Sequence, residues 1–100
     1  MYAIVFDLKM EWLRKAYPTP SCKNAYGDIR KVLVGEFGFA WQQGSTYFGG
    51  PDVTPVTCVL AVQALAARYE WFSESVRDIR MLRIEENNDL MPAISKKKGA

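Results

Sequence analysis

The segment that decides the fold is YAIVFDL, Tyr2–Leu8. Its β-branched and aromatic side chains predict a strand. Apolar residues occupy both faces of this strand until Asp7, the one charged residue in the segment. A strand that is apolar on both faces is a central strand with both faces covered. Helices can cover one face, but a chain of 100 residues is too short for two helical layers. A second subunit is therefore expected on the other face.

Three segments outward from this strand have apolar residues on one side, as amphipathic helices do. They cover residues 9–17, 21–37 and 54–69. Ser21 is expected to cap the second helix and Gly38 to follow its last turn. Thr54 is expected to cap the third helix, since a proline follows it at the first helical position.

Three further segments predict strands, at residues 39–43, 46–48 and 76–84. The first two are expected to form a hairpin around Gly44 and Ser45. In the last strand the apolar alternation slips between Ile79 and Leu82, which predicts a bulge or burial on both faces. Residues 71–75 are expected to be a connector, and residues 90–94 a last edge segment.

The resulting order is strand, helix, strand, strand, helix, strand, which is typical of the ferredoxin-like fold. The sequence therefore predicts an α+β, ferredoxin-like βαββαβ sandwich with an extra C-terminal edge segment, assembled as a homodimer. Residues 1–94 are expected to form this single domain. Residues 95–100 form a charged tail that is expected to be disordered.

Composition excludes several classes of function. The chain has no histidine, so catalysis by a histidine pair, a Ser-His-Asp triad or a histidine-ligated zinc is excluded. The net charge of +2 does not by itself indicate nucleic-acid binding. Cys22 and Cys58 have no metal-ligand spacing and are expected to be buried thiols of a reducing compartment. No signal peptide or membrane span is expected, so a cytoplasmic location is predicted.

Three stretches of the chain resemble the virulence-associated protein D (VapD) family. They are MYAIVFDL at 1–8, FAWQQGSTYFG at 39–49 and VRDIRMLRIEENNDLMPAI at 76–94. The resemblance implies a ferredoxin-like homodimer related to the small dimeric subunit of CRISPR integration complexes. It also implies an endoribonuclease that cleaves RNA, acting in some systems as a toxin beside an antitoxin protein from an adjacent gene.

Asp7 is the first candidate catalytic residue, since an unpaired carboxylate at the end of a central apolar strand is costly to bury. It is interpreted as a catalytic or metal-binding carboxylate near a two-fold axis. The alternative is a strand-end aspartate that caps the next segment or pairs with an arginine. Asp78 is the second candidate, because the last strand lies beside the first in this fold. It is expected either to approach Asp7 or to hold Arg77 or Arg80 in a surface ion pair.

The hairpin supplies candidate RNA-binding groups. Aromatic rings can stack on unpaired bases, and amides can contact base edges. The candidates are Trp41, Gln42, Gln43 and Tyr47, and Ser45 is a further catalytic candidate that would contact a phosphate. Packing in a dimer contact is the alternative for both aromatic residues.

Arg77 and Arg80 are candidate phosphate ligands, because guanidinium groups bind phosphate through paired hydrogen bonds. A charge network with the acidic residues that follow, Glu85 among them, is the alternative.

Two routes remain for a histidine-free ribonuclease. In the first, Asp7 deprotonates the ribose 2′-hydroxyl and an arginine stabilises the charge that develops, with no cofactor required. In the second, Asp7 holds a divalent metal, Mg²⁺ or Mn²⁺. The alternative function is a non-catalytic dimeric module that binds nucleic acid or protein, including a role like that of the CRISPR integration subunit.

Overall fold

The computed structural model describes residues 1–95, and the predicted disordered tail lies outside them apart from Ser95. Nine elements follow one another within these residues. They are β1 (Tyr2–Leu8), α1 (Met10–Ala16), α2 (Asn24–Phe37), β2 (Phe39–Gln43), β3 (Thr46–Gly49), α3 (Pro55–Arg68), α4 (Glu70–Ser75), β4 (Val76–Arg83) and α5 (Met91–Ser95). The strands form one antiparallel sheet in the order β2-β3-β1-β4. This α+β architecture is compatible with the ferredoxin-like fold.

The two long helices cover one face of the sheet. Helix α2 buries Ala25, Ile29, Val32 and Leu33, and helix α3 buries Cys58, Ala61 and Leu65. These side chains recur at steps of three and four residues, so each helix presents one apolar stripe to the strands. On the sheet, the same layer contains Ile4, Phe6 and Tyr47. The predicted stripes of both helices are confirmed.

The ends of the long helices explain where they begin and stop. Gly38 follows α2 with a φ of 80°, and its N–H donates to the carbonyl of Leu33. A residue with a Cβ is strained in this left-handed conformation, so glycine suits the position. At the start of α3, Thr54 and Thr57 bond reciprocally to each other's backbone N–H. This capping box stabilises the first turn.

The opposite face of the sheet carries a partly apolar surface. Residues paired across antiparallel strands point to the same face, so Ala3, Phe48 and Leu82 share this side of the sheet. Val5 belongs to the same face, and its side chain is half-buried. Leu82 is 45% exposed. The two-sided apolar character predicted for β1 is therefore present, and we call Val5, Phe48 and Leu82 the open-face patch.

Several predictions are wrong in detail. Helix α2 begins at Asn24 after Lys23, so Ser21 is not its cap; the Ser21 carbonyl instead accepts the Asn24 N–H in a preceding turn. Residues 70–75 form helix α4 and not a connector. The C-terminal segment contains helix α5 and not an edge strand.

The bulge is also displaced from its predicted position between Ile79 and Leu82. Asp7 pairs with Asp78 and Leu8 with Val76, so Arg77 is the extra residue. The irregular alternation in β4 reflects its exposure at the edge of the sheet, where Met81 and Leu82 are both nearly half exposed.

Helices α1 and α4 pack on each other beside the junction of β1 and β4. The Trp71 ring on α4 lies 5.2 Å from that of Tyr17 and 5.0 Å from that of Tyr69. The Lys9 N–H, which precedes α1, donates to the carbonyl of Ser75 over 2.8 Å. Since Lys9 follows β1 and Ser75 precedes β4, this contact fixes where the two strands meet.

Both cysteines are free and buried, as predicted. Burial raises the pKa of the Cys58 thiol, which favours its unreactive protonated form. Among the helices of residues 1–95, none has the length and apolar character needed to cross a membrane.

Candidate active site

Three predicted site segments converge at one end of the sheet. They are the end of β1, the start of β4 and the β2–β3 turn. The turn is anchored to β1 because the Phe6 N–H donates to the carbonyl of Ser45 over 3.2 Å. Asp7 follows Phe6 directly and pairs with Asp78 across the strands. The fold therefore brings the three candidate catalytic residues, Asp7, Asp78 and Ser45, to the same end of the molecule.

The Asp7 carboxylate is exposed and paired. Its side chain is 54% exposed, and its Oδ2 lies 3.0 Å from Nε of Arg77. The cost of burying an unpaired charge therefore does not arise, and the predicted alternative of an arginine partner is what the structure contains. The bulge explains the contact, because an extra residue re-aims the side chains beside it. Arg77 thereby lies against a carboxylate that solvent can reach.

Asp78 combines both of the arrangements that the sequence left open. It lies opposite Asp7 in the ladder, where side chains of paired residues are about 5 Å apart at Cβ. Its two carboxylate oxygens also accept from Nε of Arg80, at 3.1 and 3.2 Å. The outcome is two neighbouring carboxylates, each with its own guanidinium. A carboxylate can accept a proton, and a guanidinium can stabilise a negatively charged phosphate oxygen.

The hairpin residues have different environments. Trp41 is 46% exposed, and its Nε1–H donates to the carbonyl of Gly44 over 3.0 Å, so the indole folds back over the turn. Gln42 and Gln43 are exposed, and Ser45 is half-buried. Tyr47 is 1% exposed and stacks on Phe6 with ring centroids 6.2 Å apart. Tyr47 is therefore a core residue whose ring offers no face to a base, which corrects its prediction as an RNA ligand.

Known proteins resemble this chain over nearly all of its length. A scan against family models finds none that matches. The chain is 53% identical over 95 residues to endoribonuclease VapD 2 of Riemerella anatipestifer, covering 95% of this chain and all of that protein. It is 50% identical to an endoribonuclease VapD homolog of Helicobacter pylori, over 94% of this chain and 96% of that protein. It is 40% identical to endoribonuclease VapD of Dichelobacter nodosus over the full length of both. The chain belongs to the VapD family. The resemblance seen in the sequence is thereby confirmed.

The side chains of the candidate site that could bind a metal ion are the carboxylates of Asp7 and Asp78. Within residues 1–95 no group of three or more histidine, cysteine, aspartate or glutamate side chains could hold a metal ion. Asp7 and Asp78 supply two carboxylates, a number with which Mg²⁺ is commonly held beside substrate phosphates. Each carboxylate is already engaged by an arginine, which a cation would displace. A cation held here would supply charge beside a bound phosphate.

Two residues of this VapD chain near the site were not predicted. The Arg30 guanidinium on α2 lies 3.7 Å from the centroid of the Trp41 ring. Tyr26, one turn earlier on α2, donates from its hydroxyl to Sδ of Met10. Burial raises the pKa of Tyr26, and the negative charge of Asp7 raises it further. Helical periodicity places Tyr26 and Arg30 on neighbouring turns. No local sequence pattern, however, indicates their contacts with distant parts of the chain.

Proposed function

We propose that this chain is an endoribonuclease that cleaves single-stranded RNA at the carboxylate pair of Asp7 and Asp78. Membership of the VapD family supports the endoribonuclease activity. The observation that carries the site is the direct pairing of these two residues, with Arg77 on one and Arg80 on the other. No other place in residues 1–95 combines two facing strand carboxylates with two guanidiniums.

The proposed reaction is an attack by the ribose 2′-hydroxyl on the adjacent phosphorus. Asp7 accepts the proton of that hydroxyl, the O2′–P bond forms, and the P–O5′ bond breaks. The leaving O5′ takes a proton from water, so the products are a 2′,3′-cyclic phosphate and a 5′-hydroxyl. Arg77 stabilises the additional negative charge on the phosphate oxygens, because its guanidinium already lies at the carboxylate. Asp78 and Arg80 form the surroundings of the neighbouring phosphate.

The test compares the unmodified chain with Asp7→Asn on a defined single-stranded RNA. We expect cleavage to fall at least about 100-fold, the usual contribution of a general base. Asp52→Asn is the matched control, since Asp52 is an exposed carboxylate in the loop before α3. Equal cleavage by Asp7→Asn and Asp52→Asn would refute the assignment. An absence of cleavage by the unmodified chain would favour the non-catalytic binding module.

The same assay with EDTA separates the two routes. Cleavage that survives EDTA and yields a 2′,3′-cyclic phosphate supports the metal-free route. Loss of cleavage in EDTA, restored by Mg²⁺ or Mn²⁺, would replace that route with one in which Asp7 holds a cation.

The proposal includes a homodimer formed through the open-face patch. Val5 and Phe48 are half-buried and Leu82 is 45% exposed on the sheet face opposite α2 and α3. Apolar groups on a sheet face favour a second layer. A toxin role, an antitoxin partner from an adjacent gene and a cytoplasmic location remain predictions; co-purification of the product of a neighbouring gene that blocks RNA cleavage would support the first two.

A further inference from the structure

The outer surface of α2 carries a trough that the proposed reaction does not use. It is a shallow depression, widely open to solvent and about 470 Å³ in volume, lined by Gly27, Arg30, Lys31, Val34 and Gly35. A Cβ built on Gly27 or Gly35 would meet nothing within 4 Å, so the trough is open along its length. Each glycine costs about 1 kcal/mol relative to alanine inside a helix. We call this surface the α2 trough.

Arg30 joins the α2 trough to the hairpin. Its guanidinium lies over the Trp41 indole, 3.7 Å from the ring centroid. Trp41 is itself held by the hydrogen bond to Gly44, yet it stays 46% exposed. A planar cation stacked on a partly exposed indole forms a flat surface that a nucleobase can extend, because bases stack on both kinds of group.

The charges around the α2 trough favour a polyanion. None of the ion pairs within residues 1–95 includes Arg30 or Lys31, and Lys31 is exposed. Nε of Arg30 is buried and has no hydrogen-bond partner in the described part of the chain. The acidic Glu36 at the far end of α2 is already paired with Arg68. Arg30 and Lys31 therefore form no ion pair within residues 1–95, while the nearby Asp28 carboxylate, which lines a depression together with Lys31, accepts a hydrogen bond from the Tyr17 hydroxyl.

The β2–β3 turn connects the residues of the Arg30–Trp41 stack to the strand that carries Asp7. Trp41 bonds to the carbonyl of Gly44, and the next residue, Ser45, accepts from the N–H of Phe6, which precedes Asp7. The β2–β3 turn is therefore the segment that an RNA strand at Asp7 would cross to reach α2.

We propose that the Arg30–Trp41 stack and the α2 trough bind single-stranded RNA, with one base stacked on the pair and a neighbouring phosphate at Lys31. The inference rests on the proposed function for the identity of the ligand. It assigns the path that the substrate takes beyond the cleaved bond. It differs from the RNA contact predicted for the hairpin and the β4 arginines, since it makes α2 a part of the RNA surface.

The test measures binding of a fluorescein-labelled 2′-O-methyl RNA about 12 nucleotides long, a length within the range of single-strand sites. This probe has no free 2′-hydroxyl, so it survives the proposed reaction, and its fluorescence anisotropy reports affinity without cleavage. We expect Gly35→Leu to fill the trough and weaken binding about tenfold. We expect Arg30→Gln to weaken it to a similar extent through the lost stack.

Two comparisons separate this site from a simple effect of charge or folding. Arg30→Lys keeps the positive charge but loses the planar guanidinium group, so its affinity for the RNA is expected to stay well below that of the unmodified chain. Arg14→Gln removes a charge from the exposed side of α1 and is expected to change affinity less than twofold. Gly35→Leu is expected to unfold at the same urea concentration as the unmodified chain or a higher one, because leucine favours helix and meets open space.

Unchanged affinity for RNA in both Gly35→Leu and Arg30→Gln would overturn the inference. A protein partner would then be the favoured occupant of the trough. If Arg30→Lys binds the RNA as tightly as the unmodified chain does, the proposed stacking is overturned. If Asp7→Asn cleaves RNA normally while the α2 variants still lose affinity, the catalytic proposal fails and this inference stands. If Asp7→Asn loses cleavage while the α2 variants keep full affinity, the catalytic proposal stands and this inference fails.

Discussion

At the residue scale, the ion pair of Asp7 and Arg77 is suited to chemistry and poorly suited to stabilisation. Both side chains are more than half exposed, at 54% and 61%. Exposed pairs of this kind contribute about 0–1 kcal/mol to stability. The positive charge of Arg77 can instead act on a phosphate that approaches from solvent. Cleavage and stability should therefore respond differently to substitution at position 77.

We predict that Arg77→Gln lowers the rate of RNA cleavage about 100-fold, the usual effect of removing one donor to a developing oxyanion. The free energy of unfolding should change by less than about 1 kcal/mol. Single-turnover cleavage and urea unfolding measure the two quantities. Arg14→Gln is the control for general loss of positive charge. A similar fall in cleavage for both variants would show that Arg77 acts only through net charge.

Tyr17 provides a test that is independent of function. Its hydroxyl donates to the Asp28 carboxylate over 2.6 Å. This hydrogen bond, with burial adding to it, raises the pKa of Tyr17 from 10.0 to about 12. The native state therefore keeps a proton that the unfolded chain loses between these pH values, so the free energy of unfolding falls as pH rises through this window.

We predict that Tyr17→Phe lowers the free energy of unfolding by about 1 kcal/mol at pH 7. It should also flatten the decline between pH 10 and pH 12, since phenylalanine has no proton to lose. Urea unfolding at pH 7 and at pH 11 measures both effects, with Tyr2→Phe as the control at the opposite end of β1. Parallel pH curves for Tyr17→Phe and the unmodified chain would contradict the assignment of this pKa.

At the element scale, local pattern predicted the elements that are amphipathic or have clear end signals. β1, α3 with its threonine cap and the hairpin were confirmed because their side-chain spacing and turn residues agree with their structure. Helix α4 was missed because its six residues are too few to show a period, and its buried Trp71 and Phe72 are adjacent in sequence. Its stability comes from packing on α1, which only the tertiary fold supplies.

The packing of α4 leads to a prediction of stability. Phe72 is 2% exposed, and its ring lies 6.3 Å from that of Trp71. We expect Phe72→Ala to lower the free energy of unfolding by about 3–5 kcal/mol through lost burial and the cavity it leaves. Val56→Ala, at a position 65% exposed on α3, is expected to change it by less than about 0.5 kcal/mol. Urea unfolding of both variants decides the matter, and similar midpoints would show that α4 is not part of the core.

The glycines of strand and helix should respond to alanine with opposite signs. A Cβ at Gly49 would lie 2.6 Å from Cγ1 of Val53 and 2.9 Å from the carbonyl oxygen of Tyr2, so we expect Gly49→Ala to destabilise the fold by about 1–3 kcal/mol. Gly27→Ala meets open space and should stabilise it by about 0.5–1 kcal/mol. Melting temperatures should move in opposite directions by several degrees. A rise for Gly49→Ala would contradict the close approach.

At the scale of the whole molecule, the candidate site was only partly predictable. The approach of Asp7 and Asp78 followed from strand order alone. The partner of each arginine did not, because the bulge that directs Arg77 to Asp7 depends on register. Tyr47 was misassigned since an aromatic residue in a hairpin can point to either face, and register with Ile4 turns it into the core. Contacts between distant elements, such as that of Arg30 with Trp41, follow only from the assembled fold.

The last property of the whole molecule is what covers the open face of the sheet. Phe48 and Leu82 lie either side of Ala3 on the open face, and apolar groups there gain about 25 cal/mol for each Å² removed from water. The chain is also elongated, with a Cα radius of gyration of 15.6 Å against about 13 Å for a compact chain of 100 residues. The segment after β4 exposes Leu90 by 73% and Ile94 by 60%. These apolar surfaces are what a second copy would cover.

We therefore predict that the unmodified chain has twice the 11.4 kDa mass of one chain in solution. Leu82→Lys should lower this mass to that of one chain, because a lysine in the open-face patch would be buried in the dimer contact without a partner. Leu60→Lys is the matched control, since Leu60 is 51% exposed on α3, on the other side of the molecule. Light scattering after size-exclusion chromatography measures the mass, and circular dichroism checks that both variants fold. A Leu82→Lys protein that keeps the doubled mass would place the dimer contact elsewhere, and an unmodified chain of single mass would remove the homodimer from the proposal.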